Sequence, residues 1–155
     1  MAVKARYAHT NIVARDWKKL AAFYTEVFGC EQAGPTRDHH GPWVTDLTNV
    51  AEARVKGAHL RMPGYEDGNA PTLEIFEYNH AVEPATGTSP KINQIGLAHL
   101  AFEVDDVEAA RQVVLDAGGS DYGKLLVQEV PGAGTITLIY MADPEGNIFE
   151  LQHWS

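Results

Sequence analysis

The sequence predicts an α+β fold in which one strand–helix–strands unit is used twice. Three observations predict it. Two histidine-bearing segments recur at an offset of 90 residues without a gap. Each runs into an amphipathic stretch bounded by aspartate and glycine. Each half then closes on a short strand carrying a glutamate between apolar residues.

The repeat sets Tyr7-Ala8-His9-Thr10-Asn11-Ile12-Val13-Ala14-Arg15-Asp16 over Leu97-Ala98-His99-Leu100-Ala101-Phe102-Glu103-Val104-Asp105-Asp106, with Gly29 falling on Gly119. Asp16 is placed to cap a helix starting at Trp17. Trp17, Leu20, Ala21, Tyr24, Val27 and Phe28 recur at three- and four-residue spacing and make one apolar stripe, which Gly29 ends. In the second copy Asp106 caps, Val107, Ala110, Val113, Val114 and Ala117 form the stripe, and Gly118-Gly119 stops it. Strands are expected over Arg54 to Met62, Thr72 to Tyr78, Leu125 to Val130, Thr135 to Met141 and Asn147 to His153. Pro63-Gly64 and Asp143-Pro144-Glu145-Gly146-Asn147 are turn signals, and Pro84 to Pro90 reads as the connection between halves.

A chain of 155 residues is expected to form one domain (1–155), with module one at about 5–80, the connection at about 81–94 and module two at about 95–153. Twelve basic against 21 acidic residues give a net charge of −9, so neither nucleic acid nor a polybasic membrane contact is an expected partner. No apolar run approaches the ~18 residues of a membrane span, and Met1 to Arg6 leads into no signal peptide. The lone cysteine, Cys30, excludes an internal disulfide and suits a reducing, cytoplasmic setting.

Side chains alternate across a strand. In Leu73-Glu74-Ile75-Phe76 and Phe149-Glu150-Leu151-Gln152 the glutamates therefore point away from the helix-packed face. His99 likewise opposes Ala98, Leu100, Phe102 and Val104, while His9 and Asn11 oppose Ala8 and Ile12. Two histidines and two glutamates are thus expected on the concave side of a curved sheet. Partly buried carboxylates there need a compensating positive charge, and a divalent cation supplies it. Imidazole with carboxylate and no thiolate suits zinc, nickel, cobalt, manganese or iron(II). Taken singly, a strand His or Glu is more often structural; its recurrence in one slot of both halves favours the metal.

On these motifs, from about Tyr7 to Gln152, the chain resembles the vicinal oxygen chelate superfamily of glyoxalase I, methylmalonyl-CoA epimerase, extradiol dioxygenases and bleomycin resistance proteins. The resemblance implies two tandem βαβββ modules forming an open cup-shaped sheet around one divalent metal held by His9, Glu74, His99 and Glu150. It also implies Lewis-acid chemistry on a small chelating substrate. Superfamily members often dimerise, so a homodimer is expected.

Glu74 favours the glyoxalase and epimerase branch, whose last-strand glutamate, here Glu150, also acts as catalytic base. The expected activity is a metal-dependent isomerase, epimerase or lyase moving a proton next to a carbonyl. The alternatives are an iron(II) ring-cleaving dioxygenase using His9, His99 and Glu150, and a binding protein without chemistry. Glutathione-using relatives usually carry an arginine where Val13 stands, which weakens that substrate.

Alternation over Arg54 to Met62 places His59 and Arg61 on the site face. His59 is either a second acid/base or a hydrogen-bonded wall residue. Arg61 pairs either a substrate carboxylate or a strand glutamate. Asn11 and Trp43 complete the substrate-contact candidates. His39-His40-Gly41-Pro42-Trp43 is either a lid with Trp43 as an apolar wall or a surface loop whose Trp packs on the core.

Overall fold

The computed structural model describes residues 3–66, 68–84 and 90–155. It divides into two compact units, Met1–Val82 and Glu83–Ser155. Of the expected connection, residues 85–89 lie outside the described residues.

Unit one is a five-stranded sheet with a helix on one face. Strand β1 (His9–Val13) pairs in parallel with β5 (Thr72–Tyr78), which pairs antiparallel with β4 (Arg54–Arg61). Two short pieces, β2 (Glu31–Gln32) and β3 (Arg37–His40), both lie antiparallel along β4. Helix α1 (Trp17–Phe28) starts where the sequence places it: the Asp16 side chain accepts from the Lys19 amide, and Gly29 closes the helix at φ 69° with its N–H donating to Thr25. Its buried residues Leu20, Ala21, Phe23 and Tyr24 lie on the β4–β5 side, where Ala58, Leu60, Leu73 and Ile75 are also buried.

The first-half excursion is not a loop. Its residues form β3, then Gly41 and a short helix α2 (Pro42–Thr48). Val44, not Trp43, enters the core, packing with Ala53 and Val55 against Val50, Phe76 and Tyr78. Trp43 is 54% exposed, with its ring edge against His39. The physical reason is helical geometry: adjacent residues on α2 face different ways, so when Val44 is buried Trp43 turns outward.

Unit two repeats the plan. Strand β6 (Leu100–Glu103) runs parallel to β10 (Ile148–Trp154), which pairs antiparallel with β9 (Gly134–Ala142). The pieces β7 (Ser120–Asp121) and β8 (Leu126–Val130) lie along β9. Helix α3 (Val107–Asp116) is capped by Asp106, which accepts from the Ala109 amide. Val107 and Val114 are buried, but Val113 is 48% exposed, so the apolar stripe is narrower than its periodicity suggests. The turn from Asp143 to Asn147 is held by the Asp143 carboxylate, which accepts from the backbone of Glu145 and Asn147 and from the Asn147 side chain.

The repeat extends to a register slip. From Gln32 to Arg37 the chain advances five residues while its partner on β4 moves three, from Leu60 to Gly57. From Asp121 to Leu126 it again advances five while the partner on β9 moves three, from Met141 to Leu138. Each module is therefore βαβββ with an interrupted second strand. No helix among the described residues is long and apolar enough to cross a membrane.

Candidate functional site

Unit one builds its half of the site around Glu74. Strand register sets Asn11 beside Glu74 on one side and His59 on the other. His9, two residues before Asn11, shares the same face. Glu74 Oε1 lies 3.4 Å from His9 Nδ1 and 3.2 Å from His59 Nδ1, and Oε2 accepts a hydrogen bond from Asn11 Nδ2 at 3.3 Å. Glu74 is only 8% exposed, so these three partners offset the cost of burying its charge.

Burial is the main influence holding His59 below the usual imidazole pKa of 6.5; Glu74 opposes it, and the charges of Arg37, His9 and His39 act with it. His59 is therefore neutral at pH 7 and has a lone pair to accept a proton. The edge of Phe76 packs against its ring, with centroids 5.5 Å apart. Gly57 makes room for that packing: a Cβ there would stand 2.0 Å from the Ile75 carbonyl and 2.2 Å from Phe76 Cδ1.

Arg61 pairs through Nη1 with Glu31 at 3.3 Å. Asn11 is likewise engaged with Glu74. His80 is exposed in a turn, and His153 is half-buried with Nδ1 3.0 Å from the Val104 carbonyl.

Unit two builds a sparser half around Glu150, also 8% exposed. His99 lies one residue before β6 begins, and its Nε2 is 3.3 Å from Glu150 Oε2. Where unit one has Asn11 and His59 beside its glutamate, unit two has Ala101 and Tyr140. The Tyr140 ring packs on His99 with centroids 5.0 Å apart, and His99 Nδ1 is buried without a hydrogen-bond partner. Sequence reasoning missed Tyr140, Phe76 and Arg37. The signal for Tyr140 was present, because a hairpin centred on Glu145 pairs residues 140 and 150.

Among the described residues no group of three or more His, Cys, Asp or Glu side chains is arranged to hold a metal. Unit one sets His9 and His59 against Glu74, and unit two sets His99 against Glu150. Two ligands at about 2.1 Å from one ion stand roughly 3.0–3.4 Å apart. The His9–Glu74, His59–Glu74 and His99–Glu150 separations, at 3.4, 3.2 and 3.3 Å, all fit that spacing, and their N and O donors suit a borderline or hard divalent ion. Cys30 is fully buried, and burial raises its thiol pKa to about 11, so it is an inert core residue.

The comparisons agree with this architecture. A 2-epi-5-epi-valiolone epimerase from Actinomyces sp is 34% identical over 108 residues, covering 67% of this chain and 54% of that protein, so the match spans about half the relative's length. A glyoxalase family protein from Bacillus cereus superposes with a TM-score of 0.74 at 17% identity, covering 99% of this chain and 95% of that one. A glyoxylase/bleomycin resistance protein/dioxygenase domain from Frankia sp. gives a TM-score of 0.59 at 18% identity, covering 99% and 100%. At these identities the two structures show the fold, two tandem α+β modules. The family model described as Glyoxalase/Bleomycin resistance protein/Dioxygenase superfamily matches residues 6–151, nearly the whole sequence, and the chain belongs to that superfamily.

Proposed function

We propose that the chain is a divalent-metal-dependent epimerase, or a related isomerase or lyase, that moves a proton next to a carbonyl of a small metal-chelating substrate. The carrying observation is the unequal partnering of two equally buried glutamates. Among the described residues, Glu74 is held by His9, His59 and Asn11, whereas Glu150 has one polar side-chain partner, His99. The epimerase named above supports the reaction type.

In this reading His9, Glu74, His99 and Glu150 are the metal ligands. A bound divalent ion would supply Lewis-acid polarisation of the substrate carbonyl. Glu74 stays fixed by its three partners. Glu150, with one partner, is the carboxylate free to turn and take a proton on its Oε atoms. His59 faces Glu74 through Nδ1, which leaves Nε2 to hold or return a proton.

The test is metal analysis of purified protein with a screen for deuterium uptake from heavy water into 2-oxo, 2-hydroxy and acyl-CoA compounds and 2-epi-5-epi-valiolone. The expected result is about one divalent ion per chain and exchange that stops on chelation. Full exchange by metal-free protein would overturn the reading.

A further inference from the structure

Arg54, Arg61 and Arg111 pair carboxylates, and Arg6 donates to the Asn69 side chain. Arg54 grips Asp38 through Nε at 2.7 Å and Nη2 at 2.6 Å. Arg111 grips Asp121 through the same two nitrogens. Arg61 pairs Glu31. Arg37 breaks the pattern. It is half-buried on β3, no carboxylate accepts from it among the described residues, and its one hydrogen bond runs from Nη1 to the Pro35 carbonyl. The Nε–Nη2 edge that Arg54 and Arg111 use for their aspartates has no acceptor among the described residues.

Its position gives that edge a use. The β3–β4 register sets Arg37 beside Gly57, and paired residues share a sheet face. Residues 57, 59 and 61 of β4 alternate to the face that carries His59 and Glu74. Gly57 has no side chain to shield Arg37, and the Ala33 amide bonds to the His59 carbonyl, bringing the β2–β3 loop beside His59. The guanidinium nitrogens sit 3.7 and 3.9 Å from where a Gly34 side chain would begin, so the head group lies over that loop. Glu74 is already engaged by three partners, and Arg61 on the same face pairs Glu31, whereas no carboxylate among the described residues accepts from Arg37.

We propose that Arg37 recognises an oxyanion of the substrate, a carboxylate or phosphoryl group, through its Nε–Nη2 edge beside His59. This rests on the reading of that face as the substrate site. A planar fork meeting two oxygens is the geometry in which a guanidinium binds such groups best, and neither lysine nor a neutral amide reproduces it.

The test is a titration of the whole protein, metal-loaded and chelator-treated, with malonate and with inorganic phosphate, following the arginine Nε–Hε signals by NMR. Saturable movement of the Arg37 signal is expected, with binding weakened about tenfold or more in Arg37→Gln and partly retained in Arg37→Lys. Preference between the two probes identifies the oxyanion. The melting temperature and metal content of Arg37→Gln should match the wild type, because the residue holds no ion pair. Equal anion affinity in Arg37→Gln, or no saturable Arg37 shift, overturns the proposal. Protein that purifies without divalent metal and takes none up when it is supplied, yet still binds anion through Arg37, would sink the metal reading and leave this one standing.

Discussion

The two modules share a scaffold and differ in what that scaffold displays. Both carry an Asp-capped helix, a parallel outer pair of strands and an interrupted second strand with the same slip. Both bury a glutamate to 8% exposure with a histidine within 3.4 Å. Beside that glutamate, however, unit one places Asn11 and His59 and unit two places Ala101 and Tyr140. The parts that must repeat for folding have repeated. The positions that only face the site have diverged, and they have made one carboxylate crowded and the other loosely held.

The sharpest way to break that comparison is to neutralise each glutamate. Glu150→Gln is expected to lower turnover by about 10²–10⁴-fold, measured as deuterium exchange, with an unchanged melting temperature. Glu74→Ala is expected to cost stability as well, on the order of 1–3 kcal/mol by urea denaturation, because it strips an acceptor from Asn11, the partly buried His59 and the more exposed His9. Matching outcomes for the two variants would mean that the crowding around Glu74 has no functional meaning.

Next in size is a pair of glycines. Gly57→Ala would drive a methyl into the Ile75 carbonyl and the Phe76 ring, at a cost of about 1–3 kcal/mol or more. Gly119→Ala meets Val114 Cγ1 at 2.6 Å and the Ala142 carbonyl at 2.9 Å, a similar but milder overlap. Thermal melts should fall for both. Only Gly57→Ala should also lower activity per folded molecule, because Phe76 buttresses His59. An active, fully stable Gly57→Ala protein would remove Phe76 from the account.

What the sequence made legible follows from which forces are local. Helix caps, apolar stripes and strand faces depend on neighbours a few residues away, so α1, α3 and the faces of Glu74 and Glu150 were readable. Even there Gly29 and Gly119, which share a repeat position, serve different needs: Gly29 supplies a left-handed φ, Gly119 a close approach. The pieces β2, β3 and β7 are too short and polar to show a period. Cross-strand partners depend on register, and the loop between β4 and β5 hides the pairing of His59 with Glu74. Alternation therefore put Arg61 on the correct face without revealing Glu31, and gave no hint that Arg37 would lack a carboxylate partner among the described residues.

The smallest expected effect concerns the two arginine–aspartate forks, one in each module. Asp38 is held below its ordinary pKa of 3.8 chiefly by its hydrogen bonds from Arg54, and Asp121 by those from Arg111. A carboxyl whose folded pKa is lowered binds fewer protons than the unfolded chain does in the same acid range. Its contribution is complete above about pH 4 and is lost as pH falls through the lowered folded value. Asp38→Asn and Asp121→Asn should therefore lower the melting temperature slightly near neutral pH and converge on the wild type in stronger acid. Both forks are exposed, so each effect is small and shrinks with added salt. Because neither fork touches a glutamate, both variants should keep full activity. A loss of activity in one alone would show that the difference between the modules reaches beyond the faces that carry Glu74 and Glu150.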